Sequence, residues 1–541
     1  MNWLSIIIFL PVAFLVLILL LPERFREWYR YITLGTALLQ TGIAFVIYAG
    51  FNRSQSGMGI DGYQLVEKLP WIHLELGSLG RLEIDYFLGV DGLSVPLLIL
   101  SALVMTAAAI SSWEIKKNLK GYFALFLLMD AAIMGVFCAL DFFLFYVFYE
   151  LMLLPLYFLI GMWGGPRREY AALKFFLYTL FGSVFMLLVI VGLYFSVKDP
   201  VTGAYTFNML HMMNPANFVD GAVFSPAVVE TIFGVPARLL GFAVIFVAFA
   251  IKVPVVPLHT WLPDAHVEAP TPISIILAGL LLKIGGYGIL RICFGIFPDA
   301  AVHFSWFIGM LGVISILYGA LNALAMKDLK KMIAYSSVSH MGFVLLGFAS
   351  FTVEGTSGAV MQMVSHGILS TMLFFLVGVI YNRVHDRFIP NFRGLAGHMP
   401  HYAAFVMVAF FASLGLPGFS AFIAEAFTLI GTFNSASVNA LLPRWMAIAG
   451  SLGILMSAAY FLWTLQRMFF GTTRFKGGES WSKQLSDLRP IEWALLLPMA
   501  LLSLVLGVFP SLFFNFSNAT IATLVQELYK TGMQQLNILQ Y

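Results

Sequence analysis

The sequence predicts an all-α integral membrane protein of about fourteen transmembrane helices. Three observations carry that prediction. Of 541 residues, 60% are hydrophobic and only 11% are charged, whereas a soluble domain needs roughly 25% charged residues to cover its surface. Apolar runs long enough to cross about 30 Å of hydrocarbon recur along the whole chain. Lys and Arg collect in alternate loops between those runs, as the positive-inside rule requires.

The runs cover 4–21, 31–51, 88–112, 121–139, 142–163, 171–196, 237–257, 271–294, 303–326, 331–350, 356–382, 402–431, 445–470 and 491–514, numbered here as spans 1 to 14. Span 1 has no basic stretch before it, and Pro22-Glu23-Arg24 follows it in place of a small-residue cleavage site. It reads as a retained helix, not a signal peptide. Of the thirty Lys and Arg, nineteen fall in one alternate set of loops and eight in the other. Lys174, Lys252 and Lys283 lie within spans. This bias predicts that both termini face the outer side. The loop 258–270, on the cytoplasmic side of this map, has no Lys or Arg.

Two outer loops are long. In the first, alternating residues over 72–76 and 81–85 flank Gly77-Ser78-Leu79-Gly80 and predict a hairpin near 72–85. The second, about 198–236, is polar and predicted to be irregular. The tail 517–537 reads as an amphipathic helix on the outer surface or on a partner. The net charge of +3 suggests no nucleic-acid partner, and Cys138 and Cys293 lie in apolar runs as small buried hydrophobes, with no cysteine-rich metal site.

Charged groups inside a bilayer cost a few kcal/mol each on insertion scales, so a chain that keeps them has a use for them. Glu150 sits mid-span in Phe145-Tyr146-Val147-Phe148-Tyr149-Glu150-Leu151. It marks an ion path or, on the alternative reading, a structural ion pair between helices. Lys252 precedes Val253-Pro254-Val255-Val256-Pro257, whose prolines break the helix. A break at membrane depth survives only inside protein or beside water, and a lysine desolvated there can load and release a proton. Lys283, in Leu282-Lys283-Ile284-Gly285-Gly286, is mid-span, where snorkelling cannot easily reach the surface. Glu425 follows a second break, Leu416-Pro417-Gly418. Lys174 lies near Arg167 and Arg168 and is read as snorkelling.

The breaks fall on spans 7 and 12. Paired interrupted helices mark internal repeats, and an odd offset of five spans inverts the second copy. The predicted organisation is therefore residues 1–112 (spans 1–3 with the hairpin), 121–294 (first five-helix repeat), 303–470 (second, inverted repeat) and 491–541 (span 14 and the tail helix). Lys252 and Glu425 become pseudo-equivalent. His340 and His366, in spans 10 and 11, are read either as proton relays or as hydrogen-bonded core histidines. His259, Asp264, His266 and Glu268 match no metal-ligand geometry and read as a hydrated cytoplasmic mouth.

The stretch Lys252-Val253-Pro254-Val255-Val256-Pro257-Leu258-His259-Thr260-Trp261-Leu262-Pro263-Asp264-Ala265-His266 resembles the signature of the antiporter-like subunits of respiratory complex I. Ala269-Pro270-Thr271 through Lys283, and Asp328-Leu329-Lys330-Lys331-Met332-Ile333-Ala334-Tyr335-Ser336-Ser337-Val338-Ser339-His340-Met341-Gly342, continue the likeness, which covers nearly the whole chain. Within the family the likeness is greatest to the M-type branch, because the charge on span 12 is Glu425 where other branches and the Mrp antiporters carry Lys. That branch often has Trp before the span-5 glutamate; Tyr149 stands there in this sequence. The resemblance implies proton translocation through Glu150, Lys252, Lys283 and Glu425, driven by redox chemistry elsewhere. It implies that NADH, FMN, iron–sulfur clusters and quinone belong to partner subunits, with no cofactor or metal on this chain. It implies L-type and N-type neighbours in a bacterial inner membrane, with both termini periplasmic. The rival readings are an Mrp-type cation/proton antiporter subunit and a passive membrane anchor.

Overall fold

The computed structural model describes residues 2–55, 57, 59–75, 81–227, 231–232 and 234–539, with side chains through 536. Among them, thirteen helices are long and apolar enough to cross a membrane. The fourteenth crossing expected from the sequence is span 7, whose first limb, Ala237–Lys252, is cut to 16 residues by its prolines. The architecture is all-α apart from three two-stranded pairs. Span 8 (Thr271–Phe294) and span 11 (Val353–Val384) are entirely buried inside the helix array, whereas span 1 (Trp3–Leu20) and span 14 (Pro490–Val508) turn about two-thirds of their residues outward. The helices that carry Lys283 and His366 are thus enclosed by the others.

Span 7 runs Ala237–Lys252, breaks, and resumes as Trp261–Glu268. Pro254 has no N–H to offer the carbonyl of Ala250, and Val255 N bonds that carbonyl instead at 2.9 Å. The carbonyl of Ile251 is then left over and accepts from the Trp261 indole Nε1 at 2.8 Å. The polar backbone of the break is satisfied from within the protein, as membrane depth demands. Span 12 runs Pro400–Ser413, breaks, and resumes as Ser420–Val438. Gly415 and Gly418 take φ of +78° and +99° there, a conformation that side chains rarely adopt. Span 5 holds an interruption that the sequence reading did not anticipate. It is Phe142–Leu151 followed by Leu153–Trp163, with Pro155 just past the join.

The first long loop forms an antiparallel hairpin, β1 (Gln64–Glu75) with β2 (Arg81–Val90). The expected turn residues 76–80 lie outside the described residues. Glu67 of β1 accepts from the backbone N–H of Leu4 at 2.9 Å, a carboxylate against the positive end of the span-1 helix. The loop 198–236 is largely irregular, with a short helix, Met209–Met212, and a strand pair, Thr231–Ile232 with Val235–Pro236.

The tail helix is longer than expected, Ser511–Leu539, and it packs on this chain itself. Phe516 stacks near Tyr48 and Phe51, with ring centroids 4.9 and 4.7 Å away. Gly92 N donates to Thr520 Oγ1 at 3.2 Å, and Arg238 Nη2 donates to Gln535 Oε1 at 3.3 Å. Arg238 also grips Asp299 through two hydrogen bonds of 2.6 and 2.8 Å, both side chains fully buried. The tail helix, expected on the outer surface or on a partner, is therefore seated on this chain's own spans 2 and 3 and on Arg238.

Candidate functional site

Span 8 brings Lys283 to the middle of the array. Its helix is widened into π-turns at Leu277–Leu281 and Ile289–Phe294, a distortion frequent at functional sites. The turn before Lys283 leaves the carbonyl of Ala278 accepting from its Nζ at 2.5 Å. The same Nζ is 2.6 Å from Nδ1 of His366 on span 11. The rings of His366 and His340 are 5.7 Å apart. His340 Nδ1 is 3.2 Å from Glu425 Oε1. Gln362 Nε2 lies 3.4 Å from both His340 Nδ1 and Glu425 Oε1. Four residues that the sequence singles out thus form one buried file, Lys283–His366–His340–Glu425, and a small cavity lined by His340, His366, Ser336, Ser337 and Ser370 lies beside it.

Two orphaned atoms show that the file is not saturated. Glu425 Oε2 and His340 Nε2 are buried with no hydrogen-bond partner among the described residues. Glu425 Oε2 occupies the space that a Cβ on Gly415 would need, 2.9 Å from it. The span-12 break is therefore also what makes room for the carboxylate. Lys252 and Glu425 sit differently about their breaks: Lys252 ends the first limb of span 7, while Glu425 lies inside the second limb of span 12.

Lys252 and Glu150 form the other end of the constellation. Lys252 is fully buried, its Nζ 3.3 Å from the centroid of the Tyr149 ring and 3.6 Å from Met152 Sδ. Glu150 stands half-buried beside the join in span 5, close enough to act electrostatically on Lys252. No ion pair closes between the two among the described residues, and Glu150 Oε1 has no hydrogen-bond partner there. The lysine rests on the aromatic face with its carboxylate partner near but unengaged.

The expected hydrated mouth is corrected. His259, His266 and Glu268 are buried, and His266 stacks on Phe374 with centroids 4.5 Å apart and neither ring nitrogen partnered among the described residues. The second limb of span 7 folds inward against spans 6 and 10, with His266 on Phe374 of span 11, which is why these residues do not face water. Lys174 does not snorkel; it donates to Asp264 Oδ2 at 2.7 Å.

The sequence profile described as NADH:quinone oxidoreductase/Mrp antiporter, transmembrane, matches residues 139–457. NADH-quinone oxidoreductase subunit M of Rhodobacter capsulatus is 39% identical over 98% of this chain and 97% of its own length. The chain belongs to this family. The subunit M of Rickettsia prowazekii is 38% identical over 96% of this chain and 98% of its own. Among solved structures, a chain of respiratory complex I from Thermus thermophilus with bound NADH has a TM-score of 0.79 at 29% identity, covering 97% of this chain and 99% of that one. A chain of the Mrp complex from Dietzia superposes at 0.76 with 21% identity over the full length of both, a likeness of fold.

Three features of this antiporter-like chain escaped the sequence reading. Asp130, in span 4, is fully buried with both carboxylate oxygens unpartnered among the described residues. Its neighbour Gln40 donates to the carbonyl of Ile7 at 2.9 Å, the carbonyl that Pro11 leaves free four residues on. A mid-span Asp is a signal the charge census could have used. Lys330 looked like a loop cation, but it is buried and donates to Ala269 O at 2.6 Å. Arg291 pairs with Asp91 at 2.5 Å, two turns beyond Lys283 and equally buried. These depend on tertiary placement that periodicity does not carry.

Proposed function

We propose that this chain is a proton-translocating membrane subunit of an NADH:quinone oxidoreductase, moving protons through Glu150, Lys252, Lys283 and Glu425 with His366 and His340 as relays. The observation that supports this reading is the buried file from Lys283 to Glu425, in which each group lies within hydrogen-bond or ring-contact distance of the next. A file of three bases ending on an acid, with unsatisfied atoms, can hand on a proton by small side-chain shifts. NADH oxidation and quinone reduction, with FMN and iron–sulfur clusters, are assigned to partner subunits, and L-type and N-type antiporter-like subunits to the flanks. The hairpin side is assigned to the periplasm, with both termini there, from the distribution of Lys and Arg. An Mrp-type antiporter is the second reading. It is disfavoured by Glu425, an acid where those relatives carry Lys.

The test is reconstitution of the assembled complex into vesicles with a pH-sensitive dye. Lys283→Ala is expected to assemble, to reduce quinone, and to pump markedly fewer protons per electron. An unchanged ratio would remove Lys283 from the path.

A further inference from the structure

Opposite the hairpin side, at the end of span 13 (Arg444–Phe469), the chain builds a pocket of about 740 Å³. Its lining carries four cations, Arg393, Arg467, Arg474 and Lys476, and no carboxylate. All four are exposed, and among the described residues none has an ion-pair partner. Glu479, three residues past Lys476, is exposed and lies outside the pocket lining, and Asp386, seven residues before Arg393, is already engaged by Asn391 Nδ2 at 2.8 Å and by the backbone N–H of Phe388 at 2.7 Å.

The backbone forces these charges together. Phe392–Arg393 pairs antiparallel with Arg474–Phe475, so that Arg393 stands directly across from Arg474. Like charges in direct cross-strand register destabilise a pair. Lys476 is tied to the same strand pair by its N–H, which donates to Asn391 O at 3.1 Å. Gly471, at φ +92°, passes beneath the Arg393 guanidinium, with Nε only 2.8 Å from where a Cβ would be. The strand pair thus holds repulsive charges in fixed positions, an arrangement that an anion between them converts from cost to gain.

The level of the pocket identifies the anion. Arg467 lies over the Trp463 ring at 4.2 Å, and both line the pocket. Trp463 and its neighbour Leu462 are 42% and 46% exposed on the outside of the helix array. An outward Trp beside outward Leu marks the boundary between hydrocarbon and headgroups. Basic pockets at that level on the cytoplasmic side suit the phosphates of anionic lipids. We propose that this pocket binds the phosphate headgroup of an anionic phospholipid, with Arg393, Arg474 and Lys476 on the phosphate and the acyl chains descending along Trp463 and Leu462. This goes beyond the proton path and touches none of its residues.

The test uses the assembled complex, purified in detergent, delipidated, and incubated with phosphatidylglycerol, cardiolipin or phosphatidylcholine. Bound lipid is counted by native mass spectrometry. The wild type is expected to retain an anionic lipid that the Arg393→Gln/Arg474→Gln/Lys476→Gln variant loses, with phosphatidylcholine bound equally by both. Arg474→Gln alone, which leaves the pocket and strand pair in place, is expected to weaken retention several-fold. Equal retention by variant and wild type overturns the proposal. Displacement of the lipid by millimolar inorganic phosphate as readily as by another lipid assigns the pocket to free phosphate and also overturns it. So does loss of a neighbouring subunit from the variant with lipid content unchanged, which makes the pocket a protein interface.

Discussion

Lys283 Nζ and His366 Nδ1 are 2.6 Å apart across spans 8 and 11, with no other charged group between them. The nitrogen of His366 facing Lys283 is an acceptor while Lys283 is protonated, so a proton that crosses this contact leaves a charged imidazole facing His340. Groups that act in series share one loss. His366→Ala and His340→Ala are each expected to lower the proton-to-electron ratio in assembled complex, and the double variant to be no worse than the worse single one. Proton counting in vesicles against quinone reduction decides it; additive losses would mean two independent routes.

Among the described residues Glu150 and Lys252 form no ion pair, and Lys252 rests instead on the ring of Tyr149, the residue before Glu150. An acid and a base in mid-membrane cost less as a pair than singly. Lys252 is therefore expected to swing between the Tyr149 ring and the Glu150 carboxylate. A cation–π contact of about 0.5–2 kcal/mol is weak enough to leave reversibly. Glu150→Gln should abolish most pumping with assembly intact, while Tyr149→Phe, which keeps the ring, should be close to wild type. Normal pumping in assembled Glu150→Ala would falsify the switch.

Glu425 is expected to be the last site before the periplasm. Carrying a charge against 100 mV costs about 2.3 kcal/mol, within reach of a modest change in the carboxylate's surroundings. Glu425→Gln should pump poorly and Glu425→Asp should be milder. Because Glu425 Oε2 fills the place of a Gly415 side chain, Gly415→Ala should impair pumping as well. If Glu425→Gln keeps the wild-type ratio, the carboxylate is structural.

The sidedness rests on a separate measurement. Single cysteines introduced at Lys476 and at Asn52 should label from opposite faces of sealed membranes, Asn52 from the periplasm. Labelling at position 476 from the periplasmic face inverts the assignment.

The Arg238–Asp299 pair is buried at both ends. Asp299→Ala leaves a guanidinium uncompensated, a cost of about 3–5 kcal/mol. The complex carrying it is expected to lose this chain on mild detergent treatment or heating, read on a native gel. Survival equal to wild type would show that Phe224 O, Ile296 O and Gln535 alone satisfy the arginine.

Most of the span map was legible because lipid solvation writes composition directly into sequence. Glu150, Lys252, Lys283 and Glu425 stood out for the same reason. What could not be read was which polar groups meet. Nothing local says that His366 reaches Lys283 or that Lys330 bends inward to Ala269 O. The mouth at His259 to Glu268 was misjudged because polar composition was equated with hydration, whereas His266 is sandwiched beside Phe374. Asp130 was visible in the sequence as a mid-span acid, like Glu150.

The tail helix also fixes when the protein can finish folding. Gly92 waits for Thr520, 428 residues later, to accept its N–H. At roughly 5–20 residues per second of synthesis, that contact forms about 20–90 s after Gly92 is made. Until then the start of span 3 and, once made, Arg238 stand without their tail-helix partners. A chain that stops short of Ser511 lacks the helix that ties Tyr48, Phe51, Gly92 and Arg238 to one another, so Ser511–Leu539 acts as a clasp across segments translated long before it.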